Sequence, residues 1–455
     1  MRRLAGIGAA LLLGAAMLAG CSGKQEETSP TPSPSAPAAT TGGGKLTIAW
    51  AQWDPSDNLA KLAKDFTKET GIEVEVQQIP WPQYQEKIQT GVWTGKSDAY
   101  DIIVGDSQWL GRGATEGHYV DLTDWSQDNV PWSEISENAK KFYCEYDGKI
   151  YAVPCEADAI GFAYRKDLFE DPKEKADFKA KYKYDLAPPK TWPQLRDIAE
   201  FFTRPDKKLY GVAVFYAGGG AYDGITMGFD QVLWCYGGEL RDPNTGVVQG
   251  VINSPTAVKA LDFYAKDLKK FTPPGSESYY FNETLSAFTS GQVAMTMDWY
   301  TFFPALTDKG KNPYADKTGF FVVPAGPEGK RFISLGGQGL SISTYSKNQE
   351  NAKKFLAWFS KTDTQKAWAK LGGLTSTTSV LNSDDFKNAA PYNTAFAESA
   401  PLLKDFYNNP KYAELLQVTQ ENWNAVVTGQ KTSQAAMDEI AAKHTEILKS
   451  AGLLK

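Results

Sequence analysis

The chain has 455 residues, with 54 acidic against 48 basic side chains and a formal net charge of −6. That balance argues against broad basic surfaces, so no nucleic-acid partner is expected. Two histidines and four cysteines leave little material for a tetrahedral zinc site or a histidine-based triad, and no metal or other cofactor is expected.

Arg2 and Arg3 precede an apolar run from Ile7 to Leu18. The run is too short to span a bilayer as a final helix and is flanked as a secretory signal is. It closes on Leu18-Ala19-Gly20-Cys21, which resembles the lipobox of bacterial lipoproteins. The resemblance implies a signal peptide over 1–20, cleavage before Cys21 and lipid on its thiol. The mature chain would then lie in the periplasm or on the outer face of the cytoplasmic membrane, held there by lipid alone. Residues 21–44 are rich in Pro, Ser and Thr and end in Gly42-Gly43-Gly44, which reads as an extended, flexible tether. The body from Lys45 onward is too long for one hydrophobic core, so two domains are expected.

Leu46 to Trp50 reads as a strand and Asp57 to Thr70 as a helix, with Leu59, Leu62, Ala63 and Phe66 on one face and Gly71 at its end. Glu73 to Gln77 alternates polar and apolar, Pro82 opens a helix ending near Gly91, and Asp101 to Gly105 is a third strand. This alternation predicts an α/β fold with a parallel sheet and right-handed crossovers. Ligands of such sheets bind beyond the carboxyl ends of the strands. The loops there are Gln52-Trp53-Asp54 and Asp106-Ser107-Gln108-Trp109. Each joins an aromatic face to a carboxylate and an amide, which suits a sugar.

Asp147-Gly148 turns a hairpin that sets Cys144 opposite Tyr151. With Cys21 lipidated, Cys144, Cys155 and Cys235 allow one disulfide at most, or three buried thiols, and the pairing is open. Ile160–Tyr164, Leu209–Tyr216 and Val293–Met297 read as strands, and helices start near Thr191-Trp192-Pro193, at Ser254-Pro255 and at Phe281. Gly218-Gly219-Gly220 lacks the spacing of a phosphate cradle. Its neighbours Tyr222 and Asp223 read instead as another sugar-facing pair. Trp299, just past its strand, is a further stacking candidate. His118 and His444 sit in polar or charged stretches and are expected at the solvated surface.

Several stretches in order resemble the sugar-binding extracellular solute-binding proteins of ABC importers, of the maltose and multiple-sugar type. They include Tyr100-Asp-Ile-Ile-Val-Gly-Asp106, Asp147-Gly-Lys-Ile-Tyr-Ala-Val-Pro154, Gly161-Phe-Ala-Tyr-Arg-Lys-Asp-Leu-Phe169, Phe288-Thr-Ser-Gly-Gln-Val-Ala-Met295 and Ala352-Lys-Lys-Phe-Leu-Ala-Trp-Phe359. The resemblance implies a two-lobed periplasmic-binding-protein fold with a hinged cleft. It puts one lobe at 45–158 plus 335–385 and the other at 159–334 plus 386–455. Its sugar-site positions fall on Gln52, Trp53, Asp54, Asp106, Asp158, Trp299, Gly336 and Gly337. Members often carry an arginine after a later Gly-Gly. Here Gly372-Gly-Leu-Thr-Ser-Thr-Thr378 has none, which weakens the case for a charged ligand and leaves Thr375 or Ser376 as neutral contacts.

The function implied is that of a monomeric, non-enzymatic substrate-binding component, which captures an oligosaccharide or glycoside and hands it to the membrane permease. The aromatic content favours a di- or trisaccharide. Asp54, Asp106 and Asp158 are expected to accept hydroxyl hydrogen bonds as ionised groups without a metal. One alternative is a lipid-anchored glycoside hydrolase, needing paired carboxylates roughly 5–9 Å apart from among Glu156, Asp158, Asp54 and Asp106. The other is a binder of a glycosylated polyol or a glycerophosphodiester, for which Arg112 and Arg165 are the nearest arginines to the candidate loops.

Overall fold

The computed structural model describes residues 43–219 and 222–454. The signal segment, Cys21 and most of the tether lie outside the described residues, and with them the lipidation expectation.

Two mixed sheets organise the chain. The first contains β1 (Gly44–Ala51), β2 (Ile72–Ile79), β3 (Ile102–Asp106) and β4 (Val153–Glu156). The second contains β5 (Ile160–Arg165), β6 (Tyr210–Ala213), β7 (Val293–Trp299) and β8 (Thr318–Phe321). The chain then returns to the first sheet as β9 (Gln338–Ile342). Spatial order is β2-β1-β3-β9-β4 in the first sheet and β8-β5-β7-β6 in the second. β1 pairs in parallel with both β2 and β3, as the strand–helix alternation predicts. β9 lies antiparallel between β3 and β4, a non-local pairing that local pattern does not announce.

The helix after β1 runs Asp54–Thr70. It starts three residues earlier than periodicity predicts, because Pro55 fits a first turn and the Ser56 hydroxyl donates to the Trp53 carbonyl at 2.8 Å. Leu59, Leu62, Ala63 and Phe66 are buried on its inner face, and Gly71 ends it at φ +73°. The next helix, Trp81–Glu86, continues through π-helical turns to Thr94, past the expected stop at Gly91. The strand expected to reach Tyr216 ends at Ala213.

Two crossings join the sheets. One runs through Ala157, Asp158 and Ala159 between β4 and β5. The other runs through Ile333–Gly337 between β8 and β9. They touch: Ala159 and Leu335 form an antiparallel bridge, and the Gly336 N–H donates to the Asp158 carbonyl at 3.1 Å. Ile333 and Ser334 also pair with Leu403 and Lys404. A hydrogen-bonded ribbon of crossings therefore lies between the two sheets.

Cys144, Cys155 and Cys235 are buried free thiols, so no disulfide forms among them. Cys144 does face Tyr151, whose N–H donates to its carbonyl at 2.8 Å. Both histidines depart from the expected solvated surface. His118 is buried, stacked on Trp93 at 4.8 Å and bonded to Tyr345 and Glu116. His444 is fully buried and donates from Nε2 to the Leu415 carbonyl at 2.9 Å. Its helix shows a charged face to solvent and turns His444 to the inner one, a distinction that composition alone does not make.

Candidate functional site

The ribbon of crossings and the facing ends of the two sheets line a cavity of about 100 Å³. The first sheet supplies Gln52 and Trp53 beyond β1, Trp81 beyond β2, Asp106 at the end of β3 and Gln338 at the start of β9. The second supplies Trp299 at the end of β7 and Phe302 just after it, with Asp223, Tyr280 and Phe281 from helix starts. Asp158 and Gly336 come from the two crossings. The groups sit at strand ends, at helix starts or on the crossings, which is why residues far apart in sequence converge.

The aromatic part is a continuous belt. Trp53 packs against Trp81 at 5.8 Å and against Phe302 at 6.2 Å, and Phe302 stacks on Phe281 at 4.6 Å. Trp299 donates from its indole to the Tyr280 hydroxyl at 3.4 Å. Gly336 allows that ring to lie close, since a Cβ there would fall 2.6 Å from it. On the polar side, Gln338 accepts from the Trp50 indole through its amide oxygen, and among the described residues its NH₂ donates to no partner.

Three carboxylates line the same space and all are buried. Asp106 accepts from the Gln108 N–H at 3.1 Å and the Ser107 hydroxyl at 3.3 Å. Asp223 accepts from the Tyr280 hydroxyl and, at 3.4 Å, from the Gln108 amide. Asp158 accepts through Oδ1 from the N–H groups of Ala159 and Thr301. Burial pushes the pKa of Asp106 up to about 6. Burial, then the charge of Asp106, raises Asp223 to about 7. Burial holds Asp158 well above the usual carboxylate range.

Of the residues singled out from sequence, Gln52, Trp53, Asp106, Asp158, Asp223, Trp299 and Gly336 meet at this cavity. The others lie elsewhere. Asp54 opens its helix and faces a separate pocket with Lys61 and Tyr392. Trp109 is buried behind the wall, donating to the Tyr222 hydroxyl at 2.7 Å. Tyr222 stands at φ +51°, edge-on to Trp81 at 5.5 Å, and so backs the belt from outside. Gly337 packs under Tyr143, where any Cβ would collide with the ring. The Thr375 hydroxyl donates to Gln365 at 2.8 Å, and the Ser376 carbonyl accepts from the Ser136 N–H at 2.9 Å, which ties that loop to its own neighbourhood. Arg112 pairs with Glu116 at 3.0 Å and Arg165 with Asp167 at 2.6 Å, and neither lines the cavity.

Sequence reading missed Trp81, Tyr280, Phe281, Phe302 and Gln338. Trp81 was within reach, since it follows β2 as Trp53 follows β1. The other four come from non-local packing. Among the described residues, no three His, Cys, Asp or Glu side chains converge as metal ligands, and no helix is long and apolar enough to cross a membrane.

Residues 52–366 match the family described as bacterial extracellular solute-binding protein. A probable ABC transporter-binding protein of Deinococcus radiodurans is 28% identical over 349 residues, 74% of this chain and 76% of its own. A mannitol-binding protein of Pseudomonas aeruginosa is 31% identical over 257 residues, 56% of this chain and 54% of its own. Among solved structures, maltose-bound T. maritima MalE3 is 27% identical with a TM-score of 0.75, covering 89% of this chain and 100% of that one. An ABC transporter solute-binding protein of Agrobacterium radiobacter K84, solved with ribitol, is 26% identical with a TM-score of 0.75, covering 89% and 98%. These neighbours are two-lobed binding proteins, and the two sheets described above form the corresponding lobes.

Proposed function

The chain belongs to the bacterial extracellular solute-binding proteins, and on that premise we propose that its interlobe cavity captures a small sugar or polyol for delivery to an ABC permease. The family places the protein outside the cytoplasm, where a solute-binding component works. One observation carries the ligand class: the belt of Trp53, Trp81, Trp299 and Phe302 shares a wall with the carboxylates of Asp106, Asp158 and Asp223. Aromatic faces take the C–H side of a polyhydroxylated molecule, and carboxylates and amides take its hydroxyls.

Size favours the smaller end of the class. A cavity of about 100 Å³ is well under the roughly 300 Å³ at which sites for drug-sized ligands begin. At this size it suits one sugar ring or a short polyol better than the di- or trisaccharide that composition favours. The lobe boundaries at 45–158 plus 335–385 and 159–334 plus 386–455 belong to this reading; the crossings at Ala157–Ala159 and Ile333–Gly337 support the first two changes of lobe, and the change at 385 rests on the resemblance. The lipid anchor at Cys21 and the monomeric state belong to this reading as well.

Binding without catalysis is also part of the proposal, supported by relatives named as binding proteins. A thermal-shift screen over aldoses, ketoses, disaccharides and alditols tests the ligand class, because a ligand of the folded state raises apparent stability by mass action. A stabilising compound recovered intact after long incubation supports a binder. Its conversion to products would favour the hydrolase reading.

A further inference from the structure

The cavity's charges do not balance. Its lining includes three carboxylates and no lysine, arginine or histidine. The groups that hydrogen-bond those carboxylates are all neutral: backbone N–H groups, the hydroxyls of Ser107 and Tyr280, and the Gln108 amide. Asp158 is only 2% exposed and lines the cavity, yet among the described residues its Oδ2 accepts no hydrogen bond. More carboxyl groups stand behind. Asp405 and Asp230 are buried, with one oxygen of the first and both oxygens of the second unpartnered. The nearby Lys404 is committed to Glu239 at 2.6 Å.

Burying several carboxylates without a counter-charge is costly, and the usual escape is protonation. The raised pKa values of Asp106, Asp223 and Asp405, at about 6, 7 and 8, follow that rule. A metal would relieve the imbalance differently, but the carboxylates do not converge as its ligands among the described residues. A ligand that brings its own positive charge is the remaining alternative to protonation, because an ammonium could take the place of the proton on a cavity-lining carboxyl group such as Asp158.

We propose that the cavity selects a hydroxylated amine, a small sugar or polyol bearing an ammonium group, with the ammonium on the Asp158 carboxylate. An ammonium carries N–H donors for the unfilled acceptors and one positive charge, and a cation is attracted to the faces of Trp53, Trp81 and Trp299. Hydroxyls still reach Gln52 and Gln338, so the molecule remains of the sugar or polyol kind. This departs from the neutral ligand expected from sequence. That expectation counted arginines, whose absence disfavours an anion but says nothing against a cation.

The inference rests on the cavity being the solute site, so its test uses ligand pairs that differ only in the amine. Calorimetric titration at pH 7 compares glucosamine with glucose and glucamine with glucitol on the folded wild-type protein. The amine of at least one pair should bind tenfold or more tighter than its neutral partner. Asp158→Asn, first checked by melting, should collapse that preference. A neutral partner that binds as tightly or more tightly would overturn the inference while leaving the solute site intact. Failure of all four compounds, with stabilisation by a disaccharide or another unaminated compound in the wider screen, would also overturn it. No binding by any sugar, polyol or amine would remove the site itself, and the inference with it.

Discussion

Trp299 is buried at the end of β7, held by its indole bond to Tyr280 and by the close approach of Gly336. A large aromatic fixed on two sides is what a ligand-stacking anchor requires. Trp299→Ala should therefore lower affinity for the preferred ligand by about 2 kcal/mol, roughly thirtyfold, the scale of an enclosed hot spot. Gly336→Ala should weaken binding too, because its methyl group must displace the ring, and a melting curve beside each titration separates lost affinity from lost fold. The carboxylates give a pH prediction. Asp223 has a folded pKa of about 7 against an ordinary 3.8, so between those values the folded chain holds a proton that the unfolded chain releases. Its contribution to stability is therefore present at low pH and lost as pH rises through 7. His444 acts in the opposite direction: buried and neutral, it titrates near 4 when folded against 6.5 otherwise, so its penalty appears only as pH falls below 6.5. Above pH 6.5 the carboxylates should dominate, and the ligand-free melting temperature should fall, through Asp223 up to about pH 7 and through Asp405 up to about pH 8. Asp223→Asn should flatten the part of that slope below about pH 7. An equally steep slope in the variant would place the titration elsewhere.

At the scale of elements, the sequence was legible where structure is local. Periodicity and Gly71 located the first helix, Asp147-Gly148 turned a hairpin, and the alternation around β1 to β3 gave their parallel pairing. The rule about carboxyl ends leads to Gln52, Trp53 and Asp106, and the same rule applied to the loop after β2 reaches Trp81. Phe302, Tyr280 and Gln338 were not legible by that route, since their place depends on how the second sheet and β9 return to the first. The packing between the helix Trp192–Phe202 and β6 offers a test of such non-local fit. A Cβ on Gly211 would fall 2.0 Å from the Ala199 carbonyl oxygen, backbone against backbone. Gly211→Ala should cost about 1–3 kcal/mol in urea unfolding, as overpacking does. Stability like that of the wild type would show that the strand and helix separate freely.

For the whole molecule, chain length alone called for two cores, but the interleaving of segments came only with the family resemblance. Composition could not supply it, because a crossing chain looks like any other loop. The crossings now carry a mechanical expectation. Asp158 and Gly336 lie on the ribbon between the lobes and also line the cavity, so ligand contacts and the hinge share residues. A ligand that touches both lobes favours the closed state, and saturation should lower the radius of gyration in solution scattering. The most direct test of the central claim is a calorimetric titration of the best compound from the screen into the wild type and into a Trp299→Ala, Asp158→Asn double variant that still melts cooperatively. The account predicts one saturable site per chain in the wild type and its loss in the variant. Retention of wild-type affinity by the variant would put the ligand somewhere other than this cavity and contradict the account.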